Sequence, residues 1–558
     1  MLAALAACVY LGSLGNGFTF DDPHIVAENP LVTGEGGLGR IFISHYWAPQ
    51  AAQGDLYRPL TLATYWLNYR VAGLSAWSYH LVNLVLHAAA TAAAFGVFRR
   101  IGAGLPGATA AAVLFATHPV HVEAVASIVG RAELMAALFV LTAWRCRERV
   151  WIASGLFACA LLSKENAVVL PGLLLIEDLV KERSLSGFAR MSRLRAYLPY
   201  ALVLSGYLAL RLLMVGGTAG DREGPFWAVA PLPRILTAVR VLGDYLLLMI
   251  YPSRLSADYS YDQIPVVTSF LDTGVLVGAA AVALCAIFAV MAWRRLPLVS
   301  AGILFFFVAL APVSNVLFGI GVMMAERLLY LPSAGLCLSA GAALEAAVVA
   351  AIAGRGALTA KRVMAGCCLA AAIPTALLAY RTIVRTADWY DQVTLFEATV
   401  RTSPRSALAH VNLGSIYQSQ GRLVDAEEAY RAAIAIAPNR PGPHYNLATV
   451  LEATGRGEEA IKLYREAARI DPSDIKTLNN LGRALLAGSR AGEAIAVLES
   501  AVALDPKAPA PRVDLAAAFL EAGDAVRAAR IAREVLSLHP DDAAARRVLE
   551  ASIARASR

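Results

Sequence analysis

The chain has 558 residues, of which 58% are hydrophobic and 16% are charged, and its formal net charge is +7. Soluble globular proteins are about 45–50% apolar and about 25% charged, so this composition excludes an ordinary soluble enzyme and a disordered chain. The seven cysteines lie mostly in apolar runs without zinc-type spacing, which indicates neither a disulfide framework nor a zinc site. The positive charge is compatible with nucleic acid or with a membrane surface, and its location has to decide.

Long apolar runs dominate the chain up to residue 386. A helix needs ~20 residues to cross a bilayer, and some runs reach that length while others are shorter. We predict an all-α polytopic membrane bundle of about eleven spans, in which the short runs extend into polar flanks or pair as half-buried hairpins. The predicted spans are 2–14, 79–98, 104–116, 128–144, 151–162, 167–180, 197–215, 271–293, 298–317, 330–352 and 363–380.

Basic residues concentrate at alternate connections, for example Arg99 with Arg100 and Arg294 with Arg295. The positive-inside rule makes those connections cytoplasmic, which accounts for much of the net charge and leaves no need for a nucleic-acid partner. The first run lacks a preceding basic region; a cleaved signal peptide is one interpretation, and we favour a retained helix whose basic flank is missing. The N-terminus is then cytoplasmic, and the C-terminal half lies outside together with 15–78, 117–127, 216–270 and 318–329.

The second half of the chain, residues 387–558, contains an internal repeat. Leucine and alanine columns recur every 34 residues, and so do five prolines: Pro404, Pro438, Pro472, Pro506 and Pro540. Gly421, Gly455 and Gly523 mark the turn in three of the units, and Ser489 takes that place in the remaining one. A 34-residue helix–turn–helix unit of this kind is the tetratricopeptide repeat. We predict four full repeats stacked into an α-solenoid with a concave groove, preceded by a degenerate helix at 389–403.

One polar position recurs in the first helix of each repeat: Asn412, Asn446, Asn480 and, in the fourth unit, Asp514. The position is similar to one that lines the concave groove in the repeats of O-GlcNAc transferase. Carboxamides there can bond to the N–H and C=O groups of a bound peptide without reading its side chains. The alternative is that asparagine is simply common in the repeat consensus at this place.

Two adjacent carboxylates, Asp21 and Asp22, follow the first apolar run in the first outward loop. Such a pair can accept a proton or hold a divalent cation, with one carboxylate reacting and the other supporting it. The alternatives are solvated loop acids or a helix N-cap.

A second group of polar residues lies at a span boundary: His118, His121, Glu123, Arg131 and Glu133. If Pro119 opens a helix over 120–133, Glu123 precedes Arg131 by roughly two turns and lies near the same face. A charged residue in or beside an apolar span is costly, so it is taken first as a candidate functional residue. For Arg131 we expect a charged partner or an anionic ligand. The alternatives are a metal bound by His118, His121 and Glu123, or an interfacial anchor.

Further outward charges are Arg58, Lys164 with Glu165, and Glu326 with Arg327. For the turn at 163–166, a self-neutralising pair of charges is the alternative interpretation. Cations that converge beside a carboxylate suit a ligand that carries a phosphate, together with a general base.

The outward motifs occur in a characteristic order. They are Phe-Thr-Phe-Asp-Asp at 18–22, Tyr-Arg-Pro-Leu at 57–60, Tyr-His-Leu-Val-Asn at 79–83, His-Pro-Val-His-Val-Glu at 118–123, Val-Gly-Arg-Ala-Glu at 129–133, Ser-Lys-Glu at 163–165, Asp-Tyr-Ser at 258–260 and Ala-Glu-Arg-Leu-Leu-Tyr-Leu-Pro-Ser at 325–333. With the repeats that follow, the ordered set resembles the transmembrane and tetratricopeptide-repeat-containing (TMTC) family. Those proteins are similar to GT-C glycosyltransferases, and their animal members are O-mannosyltransferases of the endoplasmic reticulum lumen.

The resemblance implies a GT-C-type membrane domain over 1–386 and an extracytoplasmic repeat domain over 387–558. It implies a polyprenyl- or dolichyl-phosphate sugar donor, mannose above other sugars, and transfer with inversion to Ser or Thr hydroxyls of a protein acceptor held in the groove. Asp21 and Asp22 become the catalytic carboxylates, and no cofactor beyond an optional divalent cation on them is implied. The candidate donor-binding residues are Arg58, His118, His121, Glu123, Arg131, Glu133, Lys164, Glu165, Glu326 and Arg327.

The chain departs from the animal pattern in its short repeat array and in Val122, where threonine is expected. Its outward loops also lack cysteine. These features favour a bacterial inner-membrane protein with periplasmic repeats over a protein of the endoplasmic reticulum. Two other functions compete with the enzyme: a non-catalytic membrane scaffold, and a transporter or lipid flippase. The outward charges argue against the scaffold, and the absence of repeats within the membrane half argues against the transporter.

Overall fold

The computed structural model describes residues 1–34, 36–47, 56–182, 191–215, 229–260, 262–353 and 357–557. In this part of the chain the regular structure is helical and contains no strand, as predicted. The contacts divide the chain into two compact units. The first comprises Met1–Ser260 and Ile264–Ser403, and the second comprises Pro404–Arg558 with a short segment at 261–263. The first unit thus extends 17 residues beyond the domain boundary expected after residue 386.

The first unit contains seventeen α-helices among its described residues. These are α1 Leu2–Val9, α2 Pro30–Thr33, α3 Leu38–Phe42, α4 Pro59–Ala72, α5 Ala76–Ile101, α6 Leu105–Thr117, α7 Val122–Ala126, α8 Arg131–Arg145, α9 Val150–Ser163, α10 Leu170–Glu182, α11 Met191–Val215, α12 Pro231–Ile250, α13 Thr273–Ala292, α14 Pro297–Leu310, α15 Tyr330–Ile352, α16 Ala357–Ala387 and α17 Gln392–Thr402. Short 3-10 turns flank several of them, at Leu11–Gly15, Pro119–His121, Glu165–Val169, Ala311–Val313 and Glu326–Leu329.

Five helical segments in the described ranges are long and apolar enough to cross a membrane, and α7 with α8 would make a sixth if counted as one span. Three shorter apolar helices accompany them: α6, α9 and α14 with its 3-10 extension. The number is below the eleven or so spans expected, because several apolar runs form helices shorter than ~20 residues. Pro312, for example, closes the run that was expected to continue to 317, since proline cannot extend a helix. The five segments are Ala76–Ile101, Arg195–Val215, Thr273–Ala292, Glu326–Ile352 and Arg362–Ala387.

Two predictions about local structure were wrong. The interval 120–133 is not one helix: α7 ends at Ala126, α8 begins at Arg131, and their axes differ by 111°. The interval 216–270 was expected to be a loop, but it contains the 20-residue helix α12. That helix carries Arg234, Arg240 and Asp244, so it does not stand out as an apolar run. Residues 216–228 lie outside the described part of the chain.

Small residues allow the central helices of the first unit to pack closely. Helix α15 packs against both α14 and α6. Gly302 of α14 and Gly335 of α15 face each other so closely that a Cβ atom on either one would overlap the backbone of the other. Contacts of this kind between small residues are the usual basis of helix association in membranes, where apolar burial gives little net gain.

The described residues of the second unit form nine helices, which coincide with the four predicted repeats and a final helix. They are α18 Ala407–Ser419, α19 Leu423–Ile436, α20 Pro441–Ala453, α21 Gly457–Ile470, α22 Ile475–Ala487, α23 Ala491–Leu504, α24 Pro509–Glu521, α25 Ala525–Leu538 and α26 Ala543–Ala556.

The turn between the two helices of each repeat needs a left-handed residue. Gly421, Gly455 and Gly523 supply it with φ values of 75°, 78° and 92°. In the third helix pair Ser489 occupies the same place with a φ of 58°, which is a strained conformation for a residue that has a Cβ atom. The register predicted from the sequence is therefore correct to the residue.

Candidate active site

The backbone around the two aspartates is unusual. Phe20, immediately before them, has a φ of 54°, in a region that bulky residues seldom adopt. A single π-helical turn, Pro23–Ala27, follows them. Left-handed bulky residues and π turns both concentrate at functional sites.

Asp22 is held by the protein on both of its carboxylate oxygens. One oxygen accepts from the N–H of Thr19 at 3.0 Å, and the other accepts from the N–H of Val129 at 2.8 Å and the hydroxyl of Ser127 at 3.3 Å. Burial raises the pKa of Asp22 to about 7, although these backbone N–H donors oppose the shift. Asp22 therefore connects the first loop to the break between α7 and α8.

Asp21 is different, because its carboxylate accepts no hydrogen bond from the described residues. The side chain is half-buried. Burial raises its pKa, the negative charges of Glu123 and Asp258 act in the same direction, and Arg327 and His24 oppose them. An unbonded carboxylate with a raised pKa beside an arginine is suited to accept a proton from a substrate.

Arg327 is tied to Glu123. Its guanidinium forms an ion pair with one oxygen of Glu123, and its backbone N–H donates to the other at 2.8 Å. The Glu123 side chain is 2% exposed, whereas that of Arg327 is 26% exposed. The guanidinium thus keeps an accessible edge while its charge stays near Asp21.

Two more of the predicted cations, Arg58 and Lys164, are also paired with carboxylates. Arg58 binds Glu165 with two hydrogen bonds, of 3.0 and 2.5 Å, and lies 5.2 Å from the ring centroid of Tyr46. Burial works against the charge of Glu165, but Arg58 and then Lys164 lower the pKa of Glu165 to about 2.

Lys164 forms a buried ion pair with Glu133, and Asn166 donates to the second oxygen of that glutamate at 3.0 Å. Burial lowers the pKa of Lys164; Arg58 and Arg327 add to this effect, and Glu133 opposes it. The charges of the three ion pairs and of Asp21 act on one another's pKa values, so we treat these residues as one group. We call it the charged cluster, and its members are Asp21, Arg58, Glu123, Glu133, Lys164, Glu165 and Arg327.

Arg131 is fully buried and is not a member of this cluster. Its guanidinium donates to the side chains of Asn83 and Asn68, at 3.0 and 3.1 Å, and to the carbonyl of Tyr79 at 3.0 Å. The rings of Tyr65 and Tyr79 cover it at 4.7 and 5.6 Å. A role toward the donor stays a prediction for Arg131; the contacts observed are those of a residue that holds the three helices α4, α5 and α8 together.

The other predicted donor-binding residues have partners within the protein. Nε2 of His118 lies 3.1 Å from the carbonyl of Met249, and Nε2 of His121 lies 2.7 Å from Oγ of Ser333. No group of three His, Cys, Asp or Glu side chains in the described residues is arranged to hold a metal ion. The alternative metal site at His118, His121 and Glu123 is therefore not formed.

Glu326 fixes a loop that the sequence did not assign to the site. One of its oxygens accepts from the hydroxyl of Tyr259 at 2.6 Å and from the N–H of Ser256 at 2.5 Å. The loop carries Asp258, whose charge acts on Asp21. The sequence did contain a signal for this loop, because the motif Asp-Tyr-Ser at 258–260 is one of the ordered motifs. A motif alone, however, does not show which residues it contacts.

In the second unit the recurrent polar residues lie on the first helix of each repeat, as expected. Asn412, Asn446, Asn480 and Asp514 are all half-buried. The amide of Asn480 donates to the hydroxyl of Tyr445 at 2.8 Å.

Comparison with known proteins addresses both units. A family model described as a tetratricopeptide repeat matches residues 405–473 and 441–507, and a second such model matches residues 484–551. The protein O-mannosyl-transferase F38B6.6 of Caenorhabditis elegans is 29% identical over 446 residues, which are 77% of this chain and 61% of that protein. The protein O-mannosyl-transferase TMTC2 of Mus musculus is 26% identical with the same coverage. The resemblance to the TMTC proteins is confirmed.

A shorter match has higher identity: the protein O-mannosyl-transferase Tmtc2 of Drosophila melanogaster is 35% identical over 295 residues, which are 48% of this chain and 31% of that protein. The chain spans about three fifths of the length of the first two TMTC relatives. All three relatives bear the name protein O-mannosyl-transferase. Together with the apolar helices, they indicate a membrane protein.

Proposed function

We propose that this chain is a membrane glycosyltransferase that moves a sugar, mannose above others, from a polyprenyl- or dolichyl-phosphate donor to Ser or Thr hydroxyls of proteins. The names of the relatives support the reaction class. The observation that carries the proposal is the carboxylate of Asp21, which is half-buried, accepts no hydrogen bond from the described residues and lies within the electrostatic influence of Arg327.

In the proposed step, Asp21 takes the proton of the acceptor hydroxyl. The hydroxyl oxygen forms a bond to the anomeric carbon, the bond between that carbon and the phosphate oxygen breaks, and the lipid phosphate leaves with the electron pair. Attack from the face opposite the phosphate inverts the configuration. A well-placed base contributes roughly 10²- to 10⁴-fold to such a reaction. Asp22 positions the loop and does not contact the acceptor.

Arg327 is the favoured ligand for the donor phosphate. Its side chain is 26% exposed, compared with 13% for Arg58 and 7% for Lys164. A guanidinium can bind two phosphate oxygens in parallel, and its charge stabilises the phosphate as it leaves. Glu123 keeps the guanidinium oriented before the donor arrives.

We propose that the transfer step proceeds without a metal ion. Both oxygens of Asp22 accept protein donors, so Asp21 and Asp22 do not present two free carboxylates to a divalent cation. The lipid-linked sugar is a substrate and needs no further cofactor, since phosphate is already a good leaving group.

The second unit is proposed to hold the protein acceptor. Asn412, Asn446 and Asn480 supply carboxamides at one helical position, and such groups bind a peptide backbone irrespective of its sequence. We place the repeats and the charged cluster on the extracytoplasmic side, following the distribution of basic residues. For a bacterium this side is the periplasm.

The test is reconstitution of the full chain in vesicles with polyprenyl-phosphate mannose and Ser/Thr-containing peptides, with products identified by mass spectrometry. Asp21→Asn is expected to reduce transfer by about 10²- to 10⁴-fold. Asp272→Asn is the matched control, because Asp272 caps α13 and asparagine caps equally well. Wild-type transfer by Asp21→Asn would remove the assigned base. A wild-type chain that binds peptides but transfers no sugar would support the scaffold instead.

A further inference from the structure

The segment 385–403, between the last long apolar helix and the repeats, contacts the loop that carries Asp21. Its part at 389–403 was expected from the sequence to be a degenerate repeat helix, because Phe396 precedes Tyr430 by one repeat length. In the structure it belongs to the first unit. We call it the bracing segment.

Two hydrogen bonds fasten the N-terminal side of the loop to the bracing segment. The N–H of Gly17 donates to the carbonyl of Tyr390 at 2.8 Å. The side-chain amide of Asn16 donates to the carbonyl of Thr386 at 3.3 Å. The chain therefore leaves its first helix and meets the end of α16 before it reaches the aspartates.

Aromatic packing fixes the strained residue next to Asp21. The ring of Phe20 lies 6.5 Å from that of Trp389 and 6.0 Å from that of Phe396, measured between centroids. Trp389 is 0% and Phe396 3% exposed, so both are anchored in the core. A left-handed backbone at a phenylalanine persists only where its surroundings hold it. The packing of these three rings supplies that restraint.

The far end of the bracing segment reaches the opposite side of the site. The hydroxyl of Ser403 donates to that of Ser256 at 2.7 Å, and the Ser256 hydroxyl in turn donates to the carbonyl of Asp258 at 3.0 Å. Asp258 is one of the charges that act on Asp21. One segment thus contacts both the loop that carries the proposed base and the loop that carries its charged neighbour.

We propose that the bracing segment positions the Asp21 carboxylate, and that Trp389 and Phe396 are positioning residues for the transfer reaction rather than part of an acceptor-binding repeat. This inference rests on the proposed function. Loss of either ring frees Phe20 to leave its left-handed conformation, which displaces the carboxylate that follows it. Misplacement of a reacting group by about 1 Å can cost on the order of 10²-fold in rate.

The experiment compares Phe396→Ala and Trp389→Ala with the milder Phe396→Leu and Trp389→Phe in the full chain. Hydrogen exchange of the amides of residues 17–22 measures loop order without any need for activity. We expect faster exchange in both alanine variants, a kcat about 10- to 100-fold lower, an unchanged donor KM, and an acidic limb of the kcat profile moved to lower pH as Asp21 becomes less buried. The milder variants should retain most of the kcat. Phe519→Ala, which removes a buried ring from the repeats, should change none of these.

The positioning role is overturned if exchange of residues 17–22 stays at the wild-type level, or if it rises while kcat does not fall. It is equally overturned if Phe396→Ala raises only the acceptor KM, which would return the segment to the repeat array. Absence of transfer by the wild type would contradict the proposed function alone, and the exchange data would then still decide whether the segment orders the loop.

Discussion

The backbone N–H of Val129 donates to a carboxylate oxygen of Asp22 across 2.8 Å. The bond joins the loop after the first helix to the point where α7 gives way to α8. A chain that turns by 111° there leaves backbone groups without helical partners, and an unpaired group away from water is costly. Asp22 supplies acceptors for that turn, and on this ground we assign it the structural role and Asp21 the role of the base.

Replacement of Asp22 by asparagine should therefore destabilise the protein. An amide can place only one acceptor oxygen against the N–H groups of Thr19 and Val129, so we expect a loss of about 1–3 kcal/mol in the free energy of unfolding. Asp21→Asn should leave that free energy near the wild-type value. Unfolding in detergent, followed by circular dichroism, measures both. Equal stability of the two variants would contradict the division of roles.

The same substitution should change how stability depends on pH. The pKa of Asp22 is raised by burial from 3.8 to about 7 in the folded chain. Between these values the unfolded state has released the proton and the folded state keeps it, so stability falls as the pH rises from about 4 to about 7 and then levels off. The difference in unfolding free energy between the wild type and Asp22→Asn should follow this curve. A difference that is flat across the interval would show that Asp22 is ionised throughout.

Charges around Asp21 should move the acidic limb of the transfer rate in opposite directions. Arg327 lowers the pKa of Asp21 and Glu123 raises it. Arg327→Gln should therefore shift the limb of kcat to higher pH, and Glu123→Gln should shift it to lower pH, each measured at saturating donor. His24→Ala, at the exposed edge of the loop, should give a smaller shift in the same direction as Arg327→Gln. Shifts of the same sign in the Arg327 and Glu123 variants would exclude Asp21 as the titrating base.

Lys164 and Glu133 should behave as a buried pair. Removing the lysine alone leaves an unpaired carboxylate in a buried position, and such changes cost about 3–5 kcal/mol. Lys164→Met should thus be strongly destabilised, and Lys164→Met with Glu133→Gln should recover part of the loss. Chemical unfolding of both variants gives the comparison. If Lys164→Met keeps full stability but raises the donor KM, then Lys164 contacts the phosphate as the sequence suggested.

Replacement of the serine in the turn of the third repeat should stabilise the repeats. Ser489 has a φ of 58°, and relief of a left-handed conformation by glycine is worth about 1 kcal/mol after the entropy of glycine is subtracted. Ser489→Gly should raise the unfolding free energy of the repeats by that amount. Ser500→Gly, within α23, is the control and should lower it by about 0.5 kcal/mol. A destabilised Ser489→Gly would mean that the side chain has a role of its own.

Replacement of Asn412, Asn446 and Asn480 together by alanine tests the acceptor groove. We expect a higher KM for the peptide acceptor and an unchanged KM for the lipid donor, since the carboxamides would bond only to the peptide. Tyr445→Phe is informative beside it, because it releases the amide of Asn480 from its partner in the same groove. Equal peptide binding before and after the triple change would assign these asparagines to the repeat fold alone.

The sequence predicted local patterns well and contacts between distant residues poorly. The 34-residue period placed Ser489 in the left-handed turn, because a repeat has one local geometry. The break between α7 and α8 could not be foreseen, since the acceptor that satisfies it, Asp22, lies over one hundred residues earlier. Arg131 was expected to have a charged partner or an anionic ligand. Its observed partners Asn83 and Asn68 are neutral and come from other helices, so no local pattern could indicate them.

The candidate site shows the same limit. Its charged residues were identified from their unusual place beside apolar runs, but the pairing of Arg58 with Glu165 and of Arg327 with Glu123 depends on the fold. Phe20 was noticed only as part of the motif at 18–22, because neither its left-handed backbone nor its contact with Phe396 has a local sequence pattern.

The three short apolar helices have a consequence for the surrounding lipid. Helices α6, α9 and α14 have 13, 14 and 14 residues, which corresponds to about 20 Å at 1.5 Å per residue. The hydrocarbon of a typical bilayer is ~30 Å thick, and a membrane that meets shorter helices thins to match them. Headgroups would then lie deeper beside these three helices than beside the five segments of 20–27 residues. We therefore expect the hydrophobic thickness of the host bilayer to affect how readily the phosphate of a lipid-linked donor reaches its binding residues.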